Sequence, residues 1–200
     1  MGAGEVVTEL SYIEYHEFTA DSSTPSTTMN FGVADGNRYI VVCISIWDNA
    51  NPTAVTVGGV SATEVVAARD DNARAEVWIA AVPTGTSGTV ALTLSKSTDA
   101  CVVSLYRLIH RDGTALDSGT SIVDNPSVTL NVSNGGAVAA YMSGGGSAVT
   151  WSGATEHFDI DIDTGEYASH ASNDAPGTGT LNIQVTQSAT FEALAAASWD

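Results

Sequence analysis

The sequence predicts an all-β protein, a sandwich or barrel of short antiparallel strands. Three observations carry this. One strand-and-turn pattern is written twice, roughly 90 residues apart, and such self-similarity specifies an architecture before it specifies an activity. Period-two alternation of apolar and polar residues is clear at Val90/Leu92/Leu94, Val128/Leu130/Val132 and Leu181/Ile183/Val185, the mark of strands with one buried face. Clusters of Gly, Ser, Thr, Asn and Asp separate the apolar runs, with 19 glycines in 200 residues, as turns between strands require.

Taken in order, Tyr12–Phe18 reads as an edge strand on which Glu14, His16 and Glu17 discourage pairing with another chain. Gly36-Asn37-Arg38 opens the first copy and leads into Tyr39–Trp47, where Ile40–Ile46 is apolar on both faces and therefore a central strand. After the turn Asp48–Pro52 comes Ala54–Gly59, and Val57-Gly58-Gly59-Val60 predicts a tight hairpin or bulge. Asp70-Asp71-Asn72 is a turn, Val77–Val82 a second central strand, Thr84–Gly88 a turn, and Thr89–Leu94 a half-exposed strand. The stretch from 112 to 125 is short enough for an ordinary crossover connection. The second copy starts at Gly135-Gly136 and runs through Ala137–Met142, Gly144-Gly145-Gly146, Ala148–Gly153 and Thr180–Val185. Ala189–Trp199 holds Glu-Ala-Leu-Ala-Ala-Ala, a good helix former by propensity. Its place in the duplication matches Ala100–Tyr106, so a strand is predicted. The expected organisation is one sandwich domain over 1–200 with a shared interior. Its halves cover approximately 36–110 and 134–200, and 1–35 supplies N-terminal edge strands.

Two hundred residues suffice for one well-buried domain, which would remove about 70% of the unfolded chain's surface from water. The net charge of −17 comes from 23 acidic and 6 basic residues, and Lys96 is the sole lysine. Such a surface repels phosphate backbones and offers no basic patch for counterion release, so nucleic acid and anionic membranes are poor partners. The charge favours solubility, and screening in a saline medium would reduce its self-repulsion. Met1-Gly-Ala-Gly-Glu-Val-Val7 lacks a basic region followed by an apolar one, so no secretory signal is expected. No apolar stretch reaches the ~20 residues of a membrane helix. Cys43 and Cys101 lie in apolar strands and read as small buried thiols.

Gly36–Val42, Val57–Thr63, Arg74–Trp78 and Gly88–Leu94, followed by Gly135–Ala140 and the Ala-rich Ala189–Trp199, carry a family likeness. The pattern resembles a β-sandwich module of bacterial surface proteins and of tailed-phage or phage-like particle structural proteins. It covers roughly residues 30–200 and carries no catalytic residues. The resemblance implies a jelly-roll-like antiparallel β-sandwich built from both halves. With no secretory signal expected, it also implies a virion component assembled in the host cytoplasm: a head decoration, spike or tail-fibre subunit. Its partners would be other virion proteins and further copies of itself in a homo-oligomer.

Candidate chemistry is sparse. Asp159, Asp161 and Asp163 alternate along one strand and share a face, so Ca²⁺ is the one cofactor they suggest. An EF-hand spacing fails, because Thr164 and His170 stand where Gly and Glu are needed. Gly119-Thr120-Ser121 is similar to a subtilisin-type nucleophile segment, but the matching Asp and His motifs are missing, and no enzyme is expected. Glu14 and Glu17 offer no carboxylate pair of known separation for glycoside hydrolysis. His16, His110, His157 and His170 show no zinc-ligand spacing and read as surface or loop imidazoles. Asn131-Val-Ser133 is a formal glycosylation sequon that has meaning only in a secreted chain.

Aromatic residues supply the alternative function. Trp78 lies in an apolar strand and reads as core, whereas Trp47 and Trp151 sit at strand ends beside turns. Exposed there, they would be candidate stacking platforms for sugar rings. The sequence therefore predicts a non-enzymatic particle subunit. The alternative is a carbohydrate-binding module that attaches a particle or cell to surface polysaccharide.

Overall fold

The computed structural model describes residues 7–200; residues 1–6, on which most of the N-terminal reading falls, lie outside it. Among the described residues there are seventeen strands and no helix, so no helix is long and apolar enough to cross a membrane. The protein is an all-β sandwich of antiparallel sheets.

The first half contributes nine strands: β1 (Glu9–Phe18), β2 (Ser26–Asn30), β3 (Arg38–Ile46), β4 (Pro52–Val57), β5 (Val60–Ser61), β6 (Thr63–Asp70), β7 (Ala73–Ala81), β8 (Ser87–Leu94) and β9 (Cys101–Ile109). They form an inner sheet of order β1-β9-β3-β7-β6 and an outer sheet of order β2-β8-β4-β5. Strands β5 and β6 are one strand that changes sheet at Ala62. With β5 and β6 taken as one strand, the chain runs in the eight-strand jelly-roll order.

The second half repeats it with β10 (Asp117–Ser121), β11 (Ser127–Ser133), β12 (Gly136–Gly144), β13 (Thr150–Ser152), β14 (Thr155–Asp163), β15 (Glu166–Asn173), β16 (Thr178–Thr186) and β17 (Phe191–Trp199). Its inner sheet is β10-β17-β12-β15-β14 and its outer sheet β11-β16-β13. Each strand occupies the place of its counterpart in the first half; only the short β5 has none.

The four sheets stack in four layers. One core lies between the outer and inner sheets of the first half, around Phe31, Ile44, Trp78 and Leu92. A second fills the other half, around Leu130, Tyr141 and Ile183. The third lies between the two inner sheets and joins Val41, Cys43, Val77 and Tyr106 to Ala140, Met142, Ala195 and Trp199. The sequence leads one to expect a single interior; the structure has three. The reason is that each half holds a complete set of strands. The recurrence visible in the sequence begins at Gly36 and Gly135, but in the structure it begins two strands earlier, at β1 and β10. Strand β1 holds Leu10, Tyr12, Ile13, Tyr15 and Phe18 whereas β10 holds no apolar side chain, so the likeness between them is faint. The 112–125 connection thus contains β10, held by backbone pairing to β17 from Asp117↔Ser198 to Ser121↔Leu194.

The central strands of the inner sheets are buried on both faces, which explains their composition. Every residue of β12 is buried, and so is every residue of β17 except the half-buried Phe191. Alanines on both faces let the layers approach closely. Tertiary burial therefore overrides the helical propensity of the last segment. The inner sheets meet with β12 over β7, β15 over β3, and β10 beside β6. At the opposite margin Tyr12 stacks on His157 at 4.1 Å and Tyr15 on Phe158 at 4.3 Å, joining β1 to β14. These contacts map onto one another when the halves exchange places, an approximate internal two-fold that is uneven in detail, since β17 lies close over β7 and β6 and β9 has no matching backbone approach to β15 and β14.

Candidate functional site

The acidic strand comes first. On β14, Phe158 and Ile162 enter the core between the halves with Ile160 packed against it, and Asp159, Asp161 and Asp163 alternate to the other side. Each carboxylate serves its own stretch of backbone. Asp159 Oδ2 accepts from the Val149 N–H at 2.7 Å, Asp161 Oδ1 from the Gly165 N–H at 3.2 Å, and Asp163 Oδ1 from the Thr164 N–H at 2.7 Å. Burial raises the Asp159 carboxyl above its usual range, and its Oδ1 is buried without a partner. Glu166 is raised by burial and by the neighbouring Asp163 and Asp161 charges. Among the described residues no group of three His, Cys, Asp or Glu side chains converges to hold a metal. The bulge between Asp161 and Asp163 bends the strand where the turn begins.

The two tryptophans are engaged inside the fold. Trp47 leaves the end of β3 and lies across Gly144 of β12, with Phe191 of β17 at a centroid distance of 6.2 Å. It thereby bridges the halves. Trp151 on β13 donates its indole N–H to Ser169 Oγ at 2.8 Å and meets Tyr141 edge-on at 6.3 Å. Both rings are half-buried.

A buried polar chain between the halves escaped sequence reading. His170 on β15 is fully buried between the inner sheets, not the surface or loop imidazole that spacing suggested, whereas His110 does lie in a loop but is buried there. Ser45 Oγ donates to the Tyr141 carbonyl at 2.8 Å and lies 2.8 Å from His170 Nε2, while Ser104 Oγ lies 2.6 Å from Nδ1. With the Ser45 proton committed to the carbonyl, Nε2–H donates to Ser45, and Nδ1 accepts from Ser104. The ring is therefore neutral and its tautomer fixed. Burial, with a smaller contribution from nearby His157, lowers its pKa to about 3. Ser45 and Ser104 belong to the first half and His170 to the second, so this polar chain fastens one half to the other.

A serine–histidine contact sealed from water on every side has no route for a substrate. No period in Ala168-Ser-His-Ala-Ser172 marks the histidine as buried. Its only signal is that its neighbours are all small.

Both cysteines are free and buried. They lie on adjacent strands but in different cores, Cys43 opposite Ser104 and Cys101 opposite Ile46. Burial pushes both thiols far above their ordinary range, which makes them inert.

Nothing among protein-family models, curated proteins or solved structures matches the chain, so its architecture and its surface carry the functional argument.

Proposed function

We propose that the chain is a non-enzymatic structural subunit on the exterior of a phage or phage-like particle, a head decoration, spike or fibre component. One observation carries the reading: two complete jelly rolls are fused back to back into a single four-layer block. Jelly rolls recur in viral capsid and lectin domains, an argument from architecture alone. The block invests its polar chemistry in fastening its own halves, as the Ser45–His170–Ser104 chain and the Trp47–Gly144 contact illustrate. Rigidity and shape are what such a body offers a neighbour.

The test is to purify particles from cells that encode the chain and probe them with an antibody against it. The chain should co-sediment with intact particles and be labelled on their outside. Particles that lack the chain, with the protein found only free, overturn the reading.

A further inference from the structure

The acidity of this protein is unevenly placed. None of the seven outer-sheet strands, β2, β4, β5, β8, β11, β13 and β16, contains an Asp, Glu, Lys, Arg or His. Among the described residues all the charge lies on the inner-sheet strands and the loops, and because the inner sheets are covered by the outer ones it reaches the surface at their edges, as a belt. The two outer faces instead present hydroxyls and amides in registered rows. Thr129 stands opposite Asn182 on one side of the molecule and Thr28 opposite Thr89 on the other; Asn131, opposite Thr180, ends its row, where its amide donates to Asp117 Oδ2 at 2.8 Å and the charged margin begins. These side chains are exposed, and within a row Thr129 Oγ1 bonds Asn182 Oδ1 at 3.0 Å. Solvent-facing strands are ordinarily where charges collect, because lysine and glutamate protect sheets from one another. Here that protection is missing from both faces and concentrated elsewhere.

Electrostatics single out the occupant. Two copies meeting belt to belt bring many carboxylates together, whereas two copies meeting face to face bring only those at the margin, such as Asp117 beside Asn131. We infer that the two uncharged outer faces dock a second copy of this chain, the outer face of one molecule against the outer face of the next. The inference rests on the particle-subunit reading and names the surface that its neighbours use. The pseudo-two-fold relation places equivalent faces on opposite sides, so a copy bound by one face leaves the other open and the contact propagates. The strands of each outer sheet give a face of roughly 300 Å², from ~4.8 Å between strands and ~3.3 Å per residue. That is well under half of the ~800 Å² per partner in a standard stable interface, so one contact is weak and repetition strengthens it.

Sedimentation of the full chain over a wide concentration range, at low and high NaCl, tests this. Salt screens the belt but leaves an uncharged contact intact, so the average mass should rise with concentration and rise further with salt. The double variant Thr180→Asp/Asn182→Asp puts carboxylates on one face at exposed positions. It should keep the wild-type melting temperature and weaken association by about tenfold or more. Mixing it with Thr28→Lys/Thr89→Lys should restore the mass increase and show that unlike faces meet. A wild-type chain that stays monomeric at both salts overturns the inference, as does association that falls with salt or survives the aspartates. So does neutral polysaccharide binding that the aspartates abolish in a monomeric chain, which reassigns the faces to glycan. Particle labelling is read separately: particles without the chain defeat the subunit reading and leave the sedimentation result to decide this one.

Discussion

His170 couples the join between the halves to pH. Unfolded, the imidazole titrates near 6.5; folded, it resists protonation until about pH 3. The unfolded state therefore binds the extra proton between these values. Stability from this residue is complete above pH 6.5 and is lost as the pH falls, by about 1.4 kcal/mol per unit in the middle of the window. Glu76, Glu156, Asp159, Glu166 and Glu192 act in the opposite direction, because burial raises each of them and favours their protonated, folded forms. A difference measurement separates the two. Melting temperatures of wild type and His170→Gln between pH 7.5 and 4.5 should converge or cross as the pH falls, with the variant less stable at neutrality. Parallel curves would show that the ring does not titrate on unfolding. Arg38 presents the complementary case of a buried cation, 1% exposed, that pairs with no carboxylate among the described residues. Its guanidinium donates to the carbonyls of Phe31, Gly32, Val82, Thr84 and Gly85, pinning two loops at once. The sequence marks Arg38 only as the end of a turn, since carbonyl acceptors are contributed by the backbone and leave no trace in residue identity.

At the scale of the strand, the decisive contacts occur where small residues admit large ones. A Cβ on Gly144 would fall 2.0 Å from the Trp47 ring, and one on Gly88 2.8 Å from the Phe31 ring. Gly144→Ala should lower stability by about 1–3 kcal/mol through overpacking. Trp47→Leu in the same chain should recover part of the loss, a non-additivity that thermal denaturation of the single and double variants reads directly. Equal and additive losses would mean that the ring does not rest on Gly144. Period and turn chemistry revealed most strands, including the Val57–Val60 hairpin, where Gly58 and Gly59 take φ of 59° and 80°. They also placed β3 and β7 inside a sheet and β1 at its edge. Strand β10 stayed hidden because Asp117-Ser-Gly-Thr-Ser121 has no apolar alternation; it is held by backbone pairing to β17 and by the Asp117 carboxylate on Asn131. The Ala-rich β17 was legible only through its partner in the duplication.

For the whole molecule, the repeat in the sequence pointed to two related halves, but the arrangement of those halves was beyond it. Period-two patterns report which face of a strand is buried; they do not report which sheet buries it. The core between the inner sheets predicts the behaviour of an isolated half. A polypeptide of residues 7–112 should keep a β-type circular dichroism spectrum, bind a hydrophobic dye and self-associate, because Val41, Val77, Tyr106 and Leu108 lose their cover. A monodisperse, dye-silent fragment would show that this face tolerates water. The same geometry sets a schedule for the chain in the cell. Strand β9 completes the leading jelly roll at Ile109, while its lid is still unwritten. At ~5–20 residues per second, the ribosome leaves that greasy flank bare for roughly 5–20 s. During that interval the best-fitting surface within reach is the like flank on a neighbouring nascent chain. The seven-residue join from His110 to Leu116 keeps the rightful partner tethered, and its shortness lets the closing half reach its place ahead of a stranger.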